Sequence, residues 1–177
     1  VAIPGERTTA FMLLQLALGA RPPSLHLRFD TIVDAVSNGT VDAGLIIHES
    51  RFTYQEAGLV QVADMGDWWE SQTGLPIPLG AILVRDDVPQ DEAHALNDAI
   101  RRSLAFARAN EAAVMPYVRE HAFEMDEAVM RRHIALYVNN YSDDVTQAGV
   151  AATNELFTRA KQAGILKAHT TPRFVEF

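Results

Sequence analysis

Residues 44–52, GLIIHESRF, place three titratable side chains and a hydroxyl directly after an apolar run. The run Gly44 to Ile47 is typical of a buried strand. A neutral imidazole at the end of such a strand can abstract a proton near neutral pH, so His48 is a candidate general base. Glu49 could orient it, although adjacent strand residues point to opposite faces. The alternative is that His48 is a structural hydrogen-bonding residue and that Glu49 and Arg51 form a solvated pair.

A second candidate site lies in PGERTTA, residues 4–10. A short strand is followed by Gly5 and then by Thr8 and Thr9 at a helix start. Free backbone N–H groups and hydroxyls meet where the helix dipole is positive, so the pattern indicates an anion site. The alternative is that one of the two threonines only caps the helix.

Other chemistry-bearing residues give weaker signals. Trp68 and Trp69 with Glu70 could form a platform for a flat ligand, but large aromatic side chains mostly pack in cores, and we favour packing. No pair of histidines has the spacing of metal ligands, and HExxH, GxSxG, GxGxxG and a phosphate loop are absent. The chain has no cysteine, which excludes disulfides, thiolate metal sites and a cysteine nucleophile.

Composition excludes several classes of partner. The formal net charge of −8 argues against nucleic-acid binding, which needs clustered Lys and Arg. Hydrophobic residues make up 48% and charged residues 21%, as in ordinary globular proteins. The longest apolar run, AFMLLQLAL, is interrupted by Gln15 and is too short to span a bilayer. We therefore expect neither a nucleic acid nor a membrane as a partner.

The first 85 residues alternate strand and helix signals, which predicts a mostly parallel α/β sheet. Helices are predicted from Thr8-Thr9 to a stop at Gly19, from an Asp30 N-cap to Gly39, and over residues 67–74. Strands are predicted at 1–3, 25–29, 41–47, 59–63 and 80–84.

After Pro89 the pattern is almost wholly helical, with a helix start at Ser142 and one further strand at 173–177. The predicted helices cover residues 91–109, 111–121, 126–139 and 142–163. Their apolar faces need a sheet that this half does not supply, and the chain begins at Val1 without an initiator methionine. We infer that an N-terminal segment is missing. The predicted division is an α/β lobe at 1–88 and a helical segment at 89–177.

Four segments carry a family resemblance: GERTTAFMLLQLA, DAGLIIHESRFTYQEAGL, DMGDWWESQTGLPIPLGAI and YVNNYSDDV. Together they resemble the 1,4-dihydroxy-6-naphthoate synthase (MqnD) family, over essentially the whole chain. The resemblance implies a fold like type 2 periplasmic binding proteins, with two α/β lobes and a ligand cleft between them. The first lobe would be largely missing from this chain, and the helical segment would pack on it.

The resemblance also implies a function: a cytoplasmic lyase of the futalosine route to menaquinone. It cleaves cyclic dehypoxanthine futalosine, a carboxylate, to 1,4-dihydroxy-6-naphthoate and dihydroxyacetone, without a metal or organic cofactor. The family's catalytic base corresponds to His48 and its substrate contacts to Thr9 and Ala10. Thr8 is a weaker binding candidate, and Glu49 and Arg51 are supporting ones.

Two other functions stay open. One is a chorismate dehydratase of the same pathway and fold, in which the IIHES block is not expected. The other is a non-catalytic solute-binding protein that uses the same cleft. Without the first lobe, the surface that would pack on it is uncovered. We expect this surface to favour association, either with a partner chain or in a homo-oligomer. This chain alone would hold only half of the cleft, and we expect it to be inactive.

Overall fold

The structure is a computed structural model that describes residues 1–122 and 126–175. It is a mixed α/β fold, mostly helical, with a small parallel sheet. The strands are β1 (Ala2–Ile3) and β2 (Leu25–His26), and 3-10 turns cover Phe29–Thr31 and Tyr54–Ala57. The helices are α1 (Thr9–Leu18), α2 (Ile32–Ser37), α3 (Ser50–Thr53), α4 (Met65–Thr73), α5 (Gln90–Ala109), α6 (Glu111–His121), α7 (Glu127–Tyr137), α8 (Asn140–Asp143) and α9 (Thr146–Gln162).

The chain divides into two compact units. The first contains Val1–Pro78 and Ala148–Pro172, and the second contains residues 79–147 with the described residues 173–175. The division predicted from the sequence, 1–88 and 89–177, concerns packing on a segment outside this chain, and it stays a prediction.

The sheet of the first unit is centred on β1, which pairs in parallel with β2. On its other side, the Ala2 N–H donates to the Ala43 carbonyl at 2.9 Å, and the Leu45 N–H donates to the Ala2 carbonyl at 2.8 Å. Residues 43–45 therefore run parallel to β1, with a single bridge at Gly44. The spatial order is β2, β1, then 43–45, and both residues of β1 are fully buried as expected for a central strand.

Gly44 lets α2 pack directly on this third segment. A Cβ added there would lie 2.4 Å from the Ile32 Cγ2 atom and 3.0 Å from the Val36 Cγ2 atom. A real Cβ atom essentially never lies as close to another heavy atom as 2.4 Å, so any larger residue would push α2 away.

The core of the first unit joins α1, α4 and α9 through Leu13, Trp69 and Leu156. Trp69 is fully buried, and its indole N–H donates to the Pro76 carbonyl at 3.1 Å. The packing role expected for Trp69 is therefore confirmed.

In the second unit, α5 to α8 bury few large side chains, with Met115 and Met130 the largest among the described residues. The Arg108 guanidinium of α5 bonds both carboxylate oxygens of Asp143 in α8 at 2.9 and 2.7 Å. This ion pair is half-exposed, so it fixes geometry more than it adds stability.

Several predicted strands are wrong. Residues 41–47 form only the bridge at Gly44, and the strand at 25–29 shortens to β2. Residues 59–63 and 80–84 form no strand, and 173–175 form none either, while 176 and 177 lie outside the described residues. A strand needs a neighbour to pair with its backbone, and the described chain offers none to these segments. Their side chains are exposed instead, with Val62 at 91% and Leu83 at 86%.

Two predicted helix starts also need correction. Asp30 lies inside the 3-10 turn and ion-pairs with Arg28, whereas α2 begins at Ile32. Ser142 belongs to the short α8, where it completes a capping box with Asn139, and α9 begins at Thr146. In both places the polar side chain bonds a residue two or three positions earlier in the chain instead of capping the predicted helix.

Candidate functional site

Three chain segments leave the sheet of the first unit at the same edge. After β1 the chain continues to Gly5, after β2 to Phe29, and after the bridge at Gly44 to His48. Because the three segments are parallel, their carboxyl ends lie on one side of the sheet. That side is where open α/β sheets bind ligands.

Thr8 is the N-cap of α1. Its hydroxyl oxygen accepts from the Phe11 N–H at 3.2 Å, and the hydroxyl donates to the Gly5 carbonyl at 2.9 Å. Its oxygen therefore satisfies one of the free N–H groups at the helix start. The capping interpretation holds for Thr8, and its predicted role in substrate binding stays untested.

Thr9 and Ala10 are the first two residues of α1, and both are half-buried. Within the described part of the chain, neither backbone N–H has a hydrogen-bond acceptor. Beside them lies an open depression of about 400 Å³, lined by Gly5, Glu6, Arg7, Thr8 and His26. Two free N–H groups at the positive end of a ten-residue helix can hold a carboxylate.

His48 is half-buried and has a backbone φ of 57°, in the left-handed region. It turns the extended chain at 45–47 into α3, and its carbonyl accepts from the Arg51 N–H at 3.4 Å. Residues other than glycine rarely adopt this conformation, although histidine does so more often than most. Strained backbone of this kind is concentrated at functional sites.

The imidazole of His48 lies against the ring of Phe29. The ring centroids are 4.8 Å apart and the planes are inclined by 59°, a tilted aromatic contact. The end of β2 and the end of the Gly44 segment are thus joined by side chains at the carboxyl edge.

Arg51 and Glu49 take different positions. The Arg51 guanidinium bonds the Asp64 carboxylate at 3.2 Å, and that carboxylate also accepts from the Gly66 N–H at 2.7 Å at the start of α4. Arg51 therefore ties α3 to α4. The Glu49 carbonyl accepts from the Phe52 N–H at 2.8 Å, which fixes the first turn after His48. Support of catalysis by either residue stays a prediction.

The family model for menaquinone biosynthesis matches residues 1–162. The chain belongs to this family. It is 47% identical over 175 residues to a Thermus thermophilus protein named 1,4-dihydroxy-6-naphtoate synthase, a match that covers 99% of this chain and 64% of the relative. A Streptomyces coelicolor protein of the same name is 46% identical over 173 residues, covering 95% of this chain and 61% of the relative.

A solved structure is also similar. A crystal structure of a protein from Archaeoglobus fulgidus superposes with a TM-score of 0.88 at 36% identity, over 93% of this chain and 62% of that one. This chain therefore spans less than two thirds of the length of each of the three proteins, the two named synthases and the Archaeoglobus fulgidus protein.

Sequence reasoning missed Phe29 and His26. Phe29 was assigned to a strand, but its position directly after the end of a parallel strand was a usable signal. His26 was not among the predicted site residues, yet its Nε2 lies 3.2 Å from the Pro4 carbonyl and it lines the depression beside α1. Pairing of β2 with β1 brings it there, which no local pattern indicates.

One ion pair at this edge, between Arg28 and Asp30, shifts the pKa values of both of its members. The Arg28 guanidinium bonds the Asp30 carboxylate at 2.6 and 2.5 Å. This hydrogen bond holds the pKa of Asp30 below its ordinary value and raises the pKa of Arg28.

The described residues contain no group of three histidine, aspartate or glutamate side chains that could hold a metal ion. Across the same residues, every helix is too short or too polar to span a lipid bilayer.

Proposed function

We propose that the protein is a cofactor-independent lyase that converts cyclic dehypoxanthine futalosine to 1,4-dihydroxy-6-naphthoate, with release of dihydroxyacetone. The observation that carries the proposal is the position of His48: a half-buried imidazole on strained backbone at the carboxyl edge of the sheet, in a chain similar to two named synthases. A biosynthetic reaction of this kind favours a cytoplasmic location.

In this proposal His48 is the general base. It takes a proton from a hydroxyl or carbon of the sugar, carbon–carbon cleavage follows, and elimination gives the aromatic product. The substrate carboxylate binds at the N–H groups of Thr9 and Ala10, where the helix dipole favours negative charge. Because aromatisation supplies driving force, one well-placed base in a dry cleft is chemically sufficient.

We also propose that the cleft is completed by a first lobe outside this chain, as in type 2 periplasmic binding proteins. More than a third of the length of each curated relative lies outside the match. The exposed apolar residues of the extended segments support this, with Val60 at 83%, Val62 at 91%, Ile82 at 72% and Leu83 at 86%. Such residues at unpaired backbone favour burial against a further strand. We expect the 177-residue chain alone to be inactive.

The proposal is tested by incubating the complete gene product with cyclic dehypoxanthine futalosine, with no added metal and with a chelator present. Equimolar 1,4-dihydroxy-6-naphthoate and dihydroxyacetone, measured by liquid chromatography and mass spectrometry, are the expected result. An intact mass of the purified protein, read against 19.5 kDa for this chain, shows whether a first lobe is present. A native mass distinguishes a homo-oligomer from a complex with a partner chain.

The alternatives give different results in the same assay. Dehydration of chorismate without cleavage of the futalosine would identify the dehydratase. A ligand that is bound and returned unchanged would identify a solute-binding protein.

A further inference from the structure

We propose that Phe29 is a positioning residue for His48, holding the imidazole in the orientation in which it takes the proton. This inference rests on the proposed function, in which His48 is the base. It is carried by the ring contact at 4.8 Å between two half-buried side chains from different segments of the sheet edge.

The backbone that carries Phe29 is fixed on both sides. The Thr31 N–H and hydroxyl both donate to the Arg28 carbonyl, at 3.0 and 2.9 Å, which closes the 3-10 turn. The ion pair between Arg28 and Asp30 joins the residues directly before and after Phe29. Phe29 therefore presents its ring from a rigid turn.

The sheet fixes the spacing between the two rings. The Leu27 N–H donates to the Ile3 carbonyl at 3.1 Å just before Phe29, and the Leu45 N–H donates to the Ala2 carbonyl at 2.8 Å three residues before His48. Both segments are therefore anchored on β1, which is buried and central.

The ring of Phe29 restricts how the His48 side chain can rotate. In the left-handed conformation this side chain leaves the chain in a direction different from that of its helical neighbours, and rotation about two side-chain bonds would move the ring nitrogens. A tilted aromatic neighbour restricts that rotation and covers part of the imidazole. A catalytic base must stay within hydrogen-bond reach of its proton, so this restriction favours the reaction.

The test compares Phe29→Leu with Phe29→Tyr in the complete gene product. Leucine fills much of the space but has no ring, whereas tyrosine keeps the ring. We expect Phe29→Leu to lower kcat by about threefold to tenfold, as the worth of an aromatic pair suggests, and to change KM by less than about twofold. Phe29→Tyr should restore most of kcat. Phe157→Leu, at a half-buried phenylalanine of α9, is the matched control and should leave both constants unchanged.

A double variant shows whether Phe29 acts through His48. If it does, Phe29→Leu added to His48→Asn should leave the residual rate of His48→Asn unchanged. If Phe29→Leu instead acts through a general loss of packing, it should lower the rate by the same factor in the wild-type protein and in His48→Asn. Unfolding midpoints of all the variants control for folding.

The outcomes separate this inference from the proposed function. No cleavage by the wild-type protein overturns the proposed function, and the inference with it. An active wild type with an unchanged kcat in Phe29→Leu overturns the inference alone. Equal losses in Phe29→Leu and Phe29→Tyr, or additive losses in the double variant, also overturn it.

Discussion

Replacing His48 by glycine is expected to give a more stable protein than replacing it by alanine. Both variants lose the imidazole and its contact with Phe29, so these losses cancel in the comparison. What differs is the backbone, which has φ 57° at this residue. At most positions alanine is the more stabilising of the two residues, so the predicted order is a reversal of the usual one.

The magnitude follows from two opposing terms. A left-handed conformation costs a residue with a Cβ about 1–2 kcal/mol, and it costs glycine essentially nothing. Glycine has more freedom in the unfolded chain, which disfavours it by about 0.4–1 kcal/mol relative to alanine. The difference leaves His48→Gly more stable than His48→Ala by roughly 1 kcal/mol.

Denaturation in urea, followed by tryptophan fluorescence, measures the free energies of unfolding. Trp69 is fully buried in the core of the same unit, so its emission reports unfolding there. Glu70, exposed within α4, is the matched control, because Glu70→Gly should be less stable than Glu70→Ala by about 1 kcal/mol. If His48→Ala is as stable as His48→Gly, or more stable, His48 does not hold a left-handed backbone and the strain argument is refuted.

Three further predictions concern the elements around the site. Gly44→Ala should lower the free energy of unfolding by about 1–3 kcal/mol, since its methyl group would lie 2.4 Å from an Ile32 methyl group; an unchanged value in urea denaturation would contradict the packing. Thr8→Ala should cost about 1 kcal/mol through loss of the α1 cap and Thr8→Ser should restore it, as measured by thermal unfolding. Arg28→Gln should raise the pKa of Asp30 toward its ordinary value in an NMR titration, because the Arg28 hydrogen bond holds it down. The stabilisation from that lowered pKa is present above the ordinary aspartate pKa and is lost as pH falls through the folded value, so the variant should lose stability less steeply on acidification.

Helix ends could be predicted from the sequence where the signal is local. Thr8 before the apolar run and Gly19 after it define α1, and the structure has Thr8 as the N-cap and Gly19 in the left-handed C-cap conformation. Gly74 ends α4 in the same conformation, whereas the helix begins at Met65 after an Asp64 cap, two residues before the predicted start at residue 67. Caps depend on dihedral angles and hydrogen bonds within a few residues, so the sequence pattern contains the information.

Strands could not be predicted with the same success, because a strand depends on a partner far away in the chain. Residues 59–63 and 80–84 have the composition of strands, and their exposed valine, isoleucine and leucine side chains show that composition alone does not create a sheet. The contact between Phe29 and His48 could not be predicted either, because it depends on the order of three parallel segments that are distant in sequence.

His48 itself was found from its position after an apolar run and from the family resemblance, but its backbone conformation was not. The sign of φ at a residue other than glycine is set by the turn from residues 45–47 into α3, a packing outcome. Histidine tolerates that conformation better than most residues, which in retrospect agrees with the turn.

The most direct test of the account is the turnover of cyclic dehypoxanthine futalosine by the complete gene product with His48→Asn. Asparagine also tolerates a left-handed backbone, so the fold should be kept. The account predicts that ligand binding persists, that kcat falls by about 10²–10⁴-fold, and that His169→Asn, in the exposed tail, has the wild-type rate. A His48→Asn protein that binds the substrate and turns it over at a near-normal rate would contradict the assignment of His48 as the base.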